Sequence, residues 1–204
     1  MKLLGRFLSP YTRIVALCLR HYGIAHEQRQ LAIVNDEHRQ EIESHNSLVR
    51  VPVLVLDNGT SIVESEVILK YIESIHDGPS LFADSHGNDA QLLALYGRAK
   101  GIMDRAVAAF YESSRRPEEF RWNEQLEKLD RDWCACLSDL EAGAPEEGLF
   151  GGSQPNIMDY ATVVVLDFLK ITRPTHLAQV SIPKLNNIYV QMSEHQHVIE
   201  TRPA

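Results

Sequence analysis

About a third of the way along the chain, the apolar positions change from short runs to helical spacing. Residues 2–6 (KLLGR) predict a short strand, followed by a loop through Ser9 and Pro10. From Tyr11 onward, Ile14, Leu17, Cys18 and His21 share one helical face, and Gly23 supplies the stop. Residues 28–33 predict a second strand, and the polar run 35–46 a weak helix or a loop. VPVLVLDNGTSIVE comes next: a β-branched run, the turn Asp57-Asn58-Gly59, and a second extended run, which together make the clearest hairpin in the chain. Val67, Ile68, Tyr71, Ile72 and Ile75 then return to helical spacing. The predicted order is βαβ, a variable segment, then ββα.

Residues 78–87, with Gly78, Pro79 and Gly87, predict a linker. Beyond it the period is wholly helical. Leu92, Leu95, Ala99, Ile102, Ala106 and Phe110 form one stripe, and Trp122, Leu126, Leu129, Trp133, Cys136 and Leu140 form another, with Pro117 between them. Residues 157–169 are apolar almost all round, the mark of a helix buried in its domain. Asn156 stands before that helix as a cap, and Asp159, three residues on, can reach back to the Asn156 amide. The pattern predicts an α/β domain over 1–77 and an all-α helical bundle over 88–204.

Composition narrows the classes. Of 204 residues, 44% are apolar and 24% charged, an ordinary globular mixture. Lys plus Arg number 20 against 28 Asp plus Glu, a net charge of −8. Residues 1–77 carry 8 basic and 10 acidic groups, and the rest 12 and 18. Both halves are acidic, so neither predicts a surface that tracks phosphates, and no nucleic acid partner is expected. No run approaches about 18 uninterrupted apolar residues, so no membrane span is expected. The N-terminus has no apolar core or small-residue cleavage site of a signal peptide. Three cysteines make no disulfide framework. A soluble cytoplasmic protein is the expectation.

Most familiar catalytic signatures are missing: there is no G-x-S-x-G, no G-x-x-x-x-G-K-[ST] and no H-E-x-x-H. His195 and His197 have no carboxylate or thiol companion in the sequence, and no metal is expected. Cys134 and Cys136 lie about 200° apart around a helix and cannot chelate together. Cys18 falls on the apolar face of its helix. Three other places can carry chemistry. The loop Phe7-Leu8-Ser9-Pro10-Tyr11-Thr12 sets a hydroxyl before the first helix, where free N–H groups and the helix dipole favour an anion; the alternative is a cap serving only the backbone. Pro52 cannot donate to a sheet ladder, and behind a cis bond it would leave the Val51 main chain to pair with an extended ligand. Glu64-Ser65 opens the next helix, either as a carboxylate site or as a simple cap.

Taken together, these three features are similar to the glutathione transferase pattern, and the chain resembles a bacterial cytosolic glutathione S-transferase of the serine type over nearly its whole length. The resemblance is carried by SPYTRIVALCLRHYGI, NSLVRVPVLVLDNGTSIVESEVILKYIE, RAKGIMDRAVAAFYESSRRPEE and NIMDYATVVVLDFL. The second segment is specific in its spacing, and the others are weak alone. The resemblance implies a fold of class α+β/α: a thioredoxin-like domain that binds glutathione as co-substrate, then a helical domain that lines the pocket of an apolar electrophile. It implies Ser9 as the activating hydroxyl, with Thr12 as the alternative. It also implies Val51, before a cis Pro52, as the main-chain partner of the cysteinyl unit. Glu64 and Ser65 would hold the γ-glutamyl group, and Arg50 and His38 the glycyl carboxylate. The usual N-P-L-G-[KR]-[VI]-P is broken here at Ser47 and Val49. A homodimer active in detoxification is the family expectation. A glutathione-dependent disulfide reductase or peroxidase, and a non-catalytic binding module on the same fold, are the alternatives.

Overall fold

The computed structural model describes residues 1–84 and 87–203. Ser85 and His86 of the expected linker, and Ala204, lie outside the described residues. The chain forms two compact units: residues 1–80 together with the stretch from His195, and residues 81–194.

The first unit is built on a four-stranded mixed sheet in the order β2-β1-β3-β4. β1 (Lys2–Leu4) pairs in parallel with β2 (Glu27–Arg29) and antiparallel with β3 (Val53–Val55), which pairs antiparallel with β4 (Ser61–Val63). Successive side chains of a strand face opposite ways, so register decides the two cores. Leu4 stands opposite Val53, and that face packs with Val55, Leu31 and Ile42. Leu3 stands opposite Leu54, and both are fully buried on the other face. There α1 (Pro10–His21) and α3 (Ser65–Ile75) lie packed side by side. The hairpin closes through the Leu56 N–H on the Thr60 carbonyl (2.8 Å) and the Thr60 N–H on Asn58 Oδ1 (3.0 Å), with Gly59 at φ +86°.

Two edges differ from the predicted pattern. The second strand is Glu27–Arg29, not 28–33; it carries no apolar residue and exists because its backbone pairs with β1. The polar run is a helix, α2 (Asp36–His45), capped by Asn35 and burying only Ile42. Arg29 grips Glu41 bidentately at 3.2 and 3.0 Å, joining β2 to α2.

The helical unit is led by α4 (Asp89–Ser114) and α5 (Asn123–Gly143), packed along each other and separated by a 3₁₀ turn, Glu118–Phe120. α6 (Ile157–Thr172) packs on α4 and buries twelve of its sixteen residues, which makes it the centre of this unit. Asn156 Oδ1 accepts the Met158 and Asp159 N–H groups at 2.9 and 3.4 Å. Asp159 accepts the N–H of Phe150, Gly151 and Asn156 at 2.8, 3.0 and 2.9 Å. One carboxylate thus ties the preceding loop to the helix start. Burial pushes the Asp159 carboxyl up to about 6, and the three N–H donors pull it the other way. A short helix α7 (Pro174–Leu177) and α8 (Pro183–Ser193) complete the unit. Between α6 and α7, buried Arg173 binds buried Asp130 through Nε at 2.9 Å and through its second nitrogen. Trp133 Nε1 donates to the same carboxylate at 2.8 Å. Every charge placed in this apolar interior therefore has its partner.

The expected helical domain ran to residue 204, but the stretch from His195 belongs with the first unit. α9 (Gln196–Glu200) packs on α1, with Val198 and Thr201 buried and Arg20 Nε 3.5 Å from Glu200. His195 and His197, which looked companionless in the sequence, lie 5.0 Å apart in a neighbourhood that holds His21, His76 and Glu73. His76 in turn stacks on Tyr22 at 3.7 Å and stands 3.6 Å from Glu73. Among the described residues no group of side chains could hold a metal ion, and no helix is long and apolar enough to cross a membrane.

Two predictions follow from these contacts. Asp159→Asn keeps one acceptor but turns an NH₂ toward N–H donors, so it should destabilise the fold by about 1–3 kcal/mol, read from denaturant unfolding. Burial, reinforced by His197, His195 and His76 and opposed by Glu73, holds His21 below its ordinary value; burial and His197 do the same to His195. A histidine with a lowered folded value costs more to charge folded than unfolded. Docking of the C-terminal stretch should therefore be firm above about pH 6.5 and weaken as the pH falls through the folded values. Amide exchange over 196–202, corrected for intrinsic rates, should show less protection at about pH 5.5 than at about pH 7.5, with a smaller difference in His21→Asn.

Candidate functional site

The residues singled out in the first unit sit on three segments that converge on one glycine. β1 ends at Leu4, and Gly5 follows with φ +129°. A Cβ at Gly5 would stand 2.4 Å from Thr12 Oγ1 and 2.9 Å from Val51 Cβ. The strand end, the first turn of α1 and the loop before Pro52 therefore touch at a point where only hydrogen fits. The Gly5 amide is also committed, donating to the Arg29 carbonyl at 3.0 Å, and Gln28 Nε2 donates to its carbonyl at 2.8 Å. Gln30 Oε1 accepts the Phe7 N–H at 3.2 Å. Two glutamines of the β2 region thus shape the loop that carries Ser9, a role their polar surroundings in the sequence did not suggest.

Ser9 caps α1: its Oγ accepts the Thr12 N–H at 3.3 Å and its carbonyl accepts the Arg13 N–H at 3.0 Å. Pro10 occupies the first helical position, where no N–H is needed. The first turn has no acidic residue, so its positive end is not neutralised by a carboxylate. Ser9 is only half-buried, whereas Thr12 is fully buried with its hydroxyl against Gly5.

The Val51–Pro52 bond is cis. Val51 lies outside the ladder register of β3, and its side chain packs on the Leu4–Ile42–Val53 core. Glu64 precedes α3 with φ +67° and ψ 124°, a left-handed-side conformation uncommon for a residue with a Cβ, and no side chain caps the helix behind it. The Glu64 side chain makes no cap to the helix, and Ser65 is buried at the first position. Arg50 NH1 lies 3.2 Å from Glu64 Oε1; both side chains are largely exposed, so the pair adds little stability. The structure thus links Ser9, through the turn that seats Thr12, to Val51, and links Arg50 to Glu64. His38 stands apart from these contacts: its Nδ1 accepts the Ala32 N–H at 3.2 Å and its amide donates to Asn35 Oδ1 at 3.0 Å.

None of the three cysteines has the surroundings of a reactive thiol. Burial, then Glu73 and Glu66, pushes buried Cys18 well up. Burial also raises Cys134 and Cys136, with Asp130 and Asp139 respectively adding to it.

Comparison with known proteins agrees with this geometry. The family described as glutathione S-transferase, N-terminal domain, matches residues 3–80. An uncharacterized GST-like protein, YibF of Escherichia coli, is 24% identical over 206 residues, covering 100% of this chain and 98% of that protein. A glutathione S-transferase of Methylobacterium radiotolerans, solved in complex with glutathione sulfonate, superposes with a TM-score of 0.87 at 25% identity, over 99% of this chain and 94% of that one. A glutathione transferase family member of Pseudomonas fluorescens, solved with bound glutathione, does so with a TM-score of 0.82 at 27% identity, over 100% and 98%. Residues 3–80 thus match the glutathione S-transferase N-terminal domain family, and the first unit has a thioredoxin-like fold. Over its full length the chain has the two-part architecture of the glutathione transferases.

Gly5→Ala tests the convergence directly. The added methyl meets Thr12 and Val51, and φ +129° excludes an L side chain. Thermal unfolding should fall by roughly 5–10 °C, consistent with an overpacking cost of about 1–3 kcal/mol.

Proposed function

We propose that this protein is a glutathione transferase in which Ser9 donates a hydrogen bond to the glutathione sulfur and holds it as the thiolate for attack on a small apolar electrophile. The observation that carries this reading is the state of the Ser9 hydroxyl. Its oxygen already accepts the Thr12 N–H, and its proton is given to no group among the described residues, at a helix end with no carboxylate in its first turn. A free thiol titrates near 8.5, so only a few per cent is ionised at neutral pH. One charge-assisted bond and the helix dipole can lower that to about 6.5, which corresponds to about 2.7 kcal/mol. The S–H bond breaks and its proton leaves to solvent; the sulfur lone pair then forms the new bond to carbon as the leaving group departs. The buried Thr12 hydroxyl supports Ser9 over Thr12 for this role.

In this reading the Val51 main chain pairs with the cysteinyl unit. Glu64 takes the γ-glutamyl amine, and Ser65 at the start of α3 takes its carboxylate. Arg50 and the Nε2 edge of His38 are left for the glycyl carboxylate. Breaking the exposed Arg50–Glu64 pair to admit the ligand costs little. Glutathione belongs to the first unit, and selection of the electrophile to the helical one. The protein acts as a cytoplasmic homodimer by the same family reading. Because its own thiols are pushed toward the protonated form, reductase or peroxidase chemistry would also have to run on bound glutathione.

Calorimetry of glutathione binding, with thiolate absorbance followed against pH, tests the proposal. Wild type should bind, and its thiol should titrate well below the free value. In Ser9→Ala that shift should vanish and turnover of an aryl halide should fall by about 100-fold, while Ser9→Thr recovers part of both. Binding with no lowering of the thiol overturns the activation role of Ser9, and absence of binding at millimolar glutathione overturns the transferase reading.

A further inference from the structure

The segment leading into Pro52 is braced by Asn46, the residue that opens its N-S-L-V-R-V-P run. Asn46 ends α2, is 7% exposed, and uses every polar atom it has. Its N–H donates to the Ile42 carbonyl at 2.8 Å, and its carbonyl accepts the Val49 N–H at 2.8 Å. Its side-chain Oδ1 accepts the Leu48 N–H at 3.1 Å, and its Nδ2 donates to the Arg50 carbonyl at 2.9 Å. Val49, β-branched, is meanwhile held at φ +51°, where such residues are rare. Asn46 therefore closes the whole turn from the end of α2 to Arg50 upon itself.

The last of these bonds matters beyond the turn. The Arg50 carbonyl and the Val51 N–H belong to one planar trans peptide and point in opposite directions. Fixing the carbonyl on Asn46 fixes the direction of the N–H. We propose that Asn46 is a positioning residue that, through the Arg50 carbonyl, aims the Val51 N–H at the cysteinyl main chain of bound glutathione. This rests on the glutathione site read above. None of the Asn46 hydrogen bonds reaches the Ser9 loop, so its loss acts first on affinity and not on the sulfur chemistry.

The test is Asn46→Asp, which keeps the acceptor for Leu48 but sets a carboxylate oxygen against the Arg50 carbonyl. The dissociation constant for glutathione should rise by about tenfold or more, while the thiol of the saturated complex titrates as in wild type. Amide exchange without ligand should quicken over 47–53 and nowhere else. Adding Val49→Gly, which adopts φ +51° freely, should recover part of the affinity. A folded Asn46→Asp that binds glutathione as tightly as wild type overturns the proposal. If that variant does not fold, Asn46→Ser, too short to reach the Arg50 carbonyl, decides in the same way. Failure of wild type to bind glutathione overturns the site reading instead, and the exchange pattern over 47–53 then judges the bracing alone.

Discussion

Where the first strand ends, the chain must pass through a space that admits no side chain. Gly5 packs against Thr12 on one side and Val51 on the other, its amide is committed to β2, and its carbonyl to Gln28. The position of α1 follows from this, because Thr12 is in its first turn. The position of the loop before Pro52 follows too, because Val51 is the other wall. The hydroxyl at the helix start and the loop before the cis bond are thereby set on one rigid support.

The helical unit solves a different problem. α6 is buried through Leu166 and again at Phe168 and Leu169, so its start cannot be solvated and must be satisfied by protein. At the start, Asn156 and Asp159 do this with five hydrogen bonds to backbone amides. At the end, Arg173 leaves the helix and binds Asp130 of α5, beside Trp133 and Ser113. Removing one member of that group would strand a charge in the core, whereas the complete set is satisfied.

The two helix starts of the first unit differ in their charge. The start of α1 is capped by the Ser9 hydroxyl and has no acidic residue in its first turn, whereas α3 is preceded by Glu64 and carries Glu66 in its first turn. The cysteines are held toward the neutral thiol by burial.

Much of this was legible in the sequence because it depends on local chemistry. The βαβ and ββα order, the hairpin at Asp57-Asn58-Gly59 and the helical second half follow from period and turn residues, each decided within a few positions. The Asn156–Asp159 pair could be read because a capping box spans only four residues. Other features depend on partners far along the chain. β2 has the sequence Glu-Gln-Arg and becomes a strand only because β1 offers its edge; α2 is a helix with a single buried anchor, Ile42. Asp130 looks like a solvated charge until Arg173 arrives from 43 residues away. The stretch from His195 reads as a polar tail until α1 supplies the surface that buries Val198 and Thr201. By itself the sequence determined the hairpin, the capped helix α6 and the helical second half, since those choices are made by neighbouring residues. Only the tertiary structure decided which polar groups would be satisfied and by whom, because a buried hydrogen bond exists only when both partners are brought together.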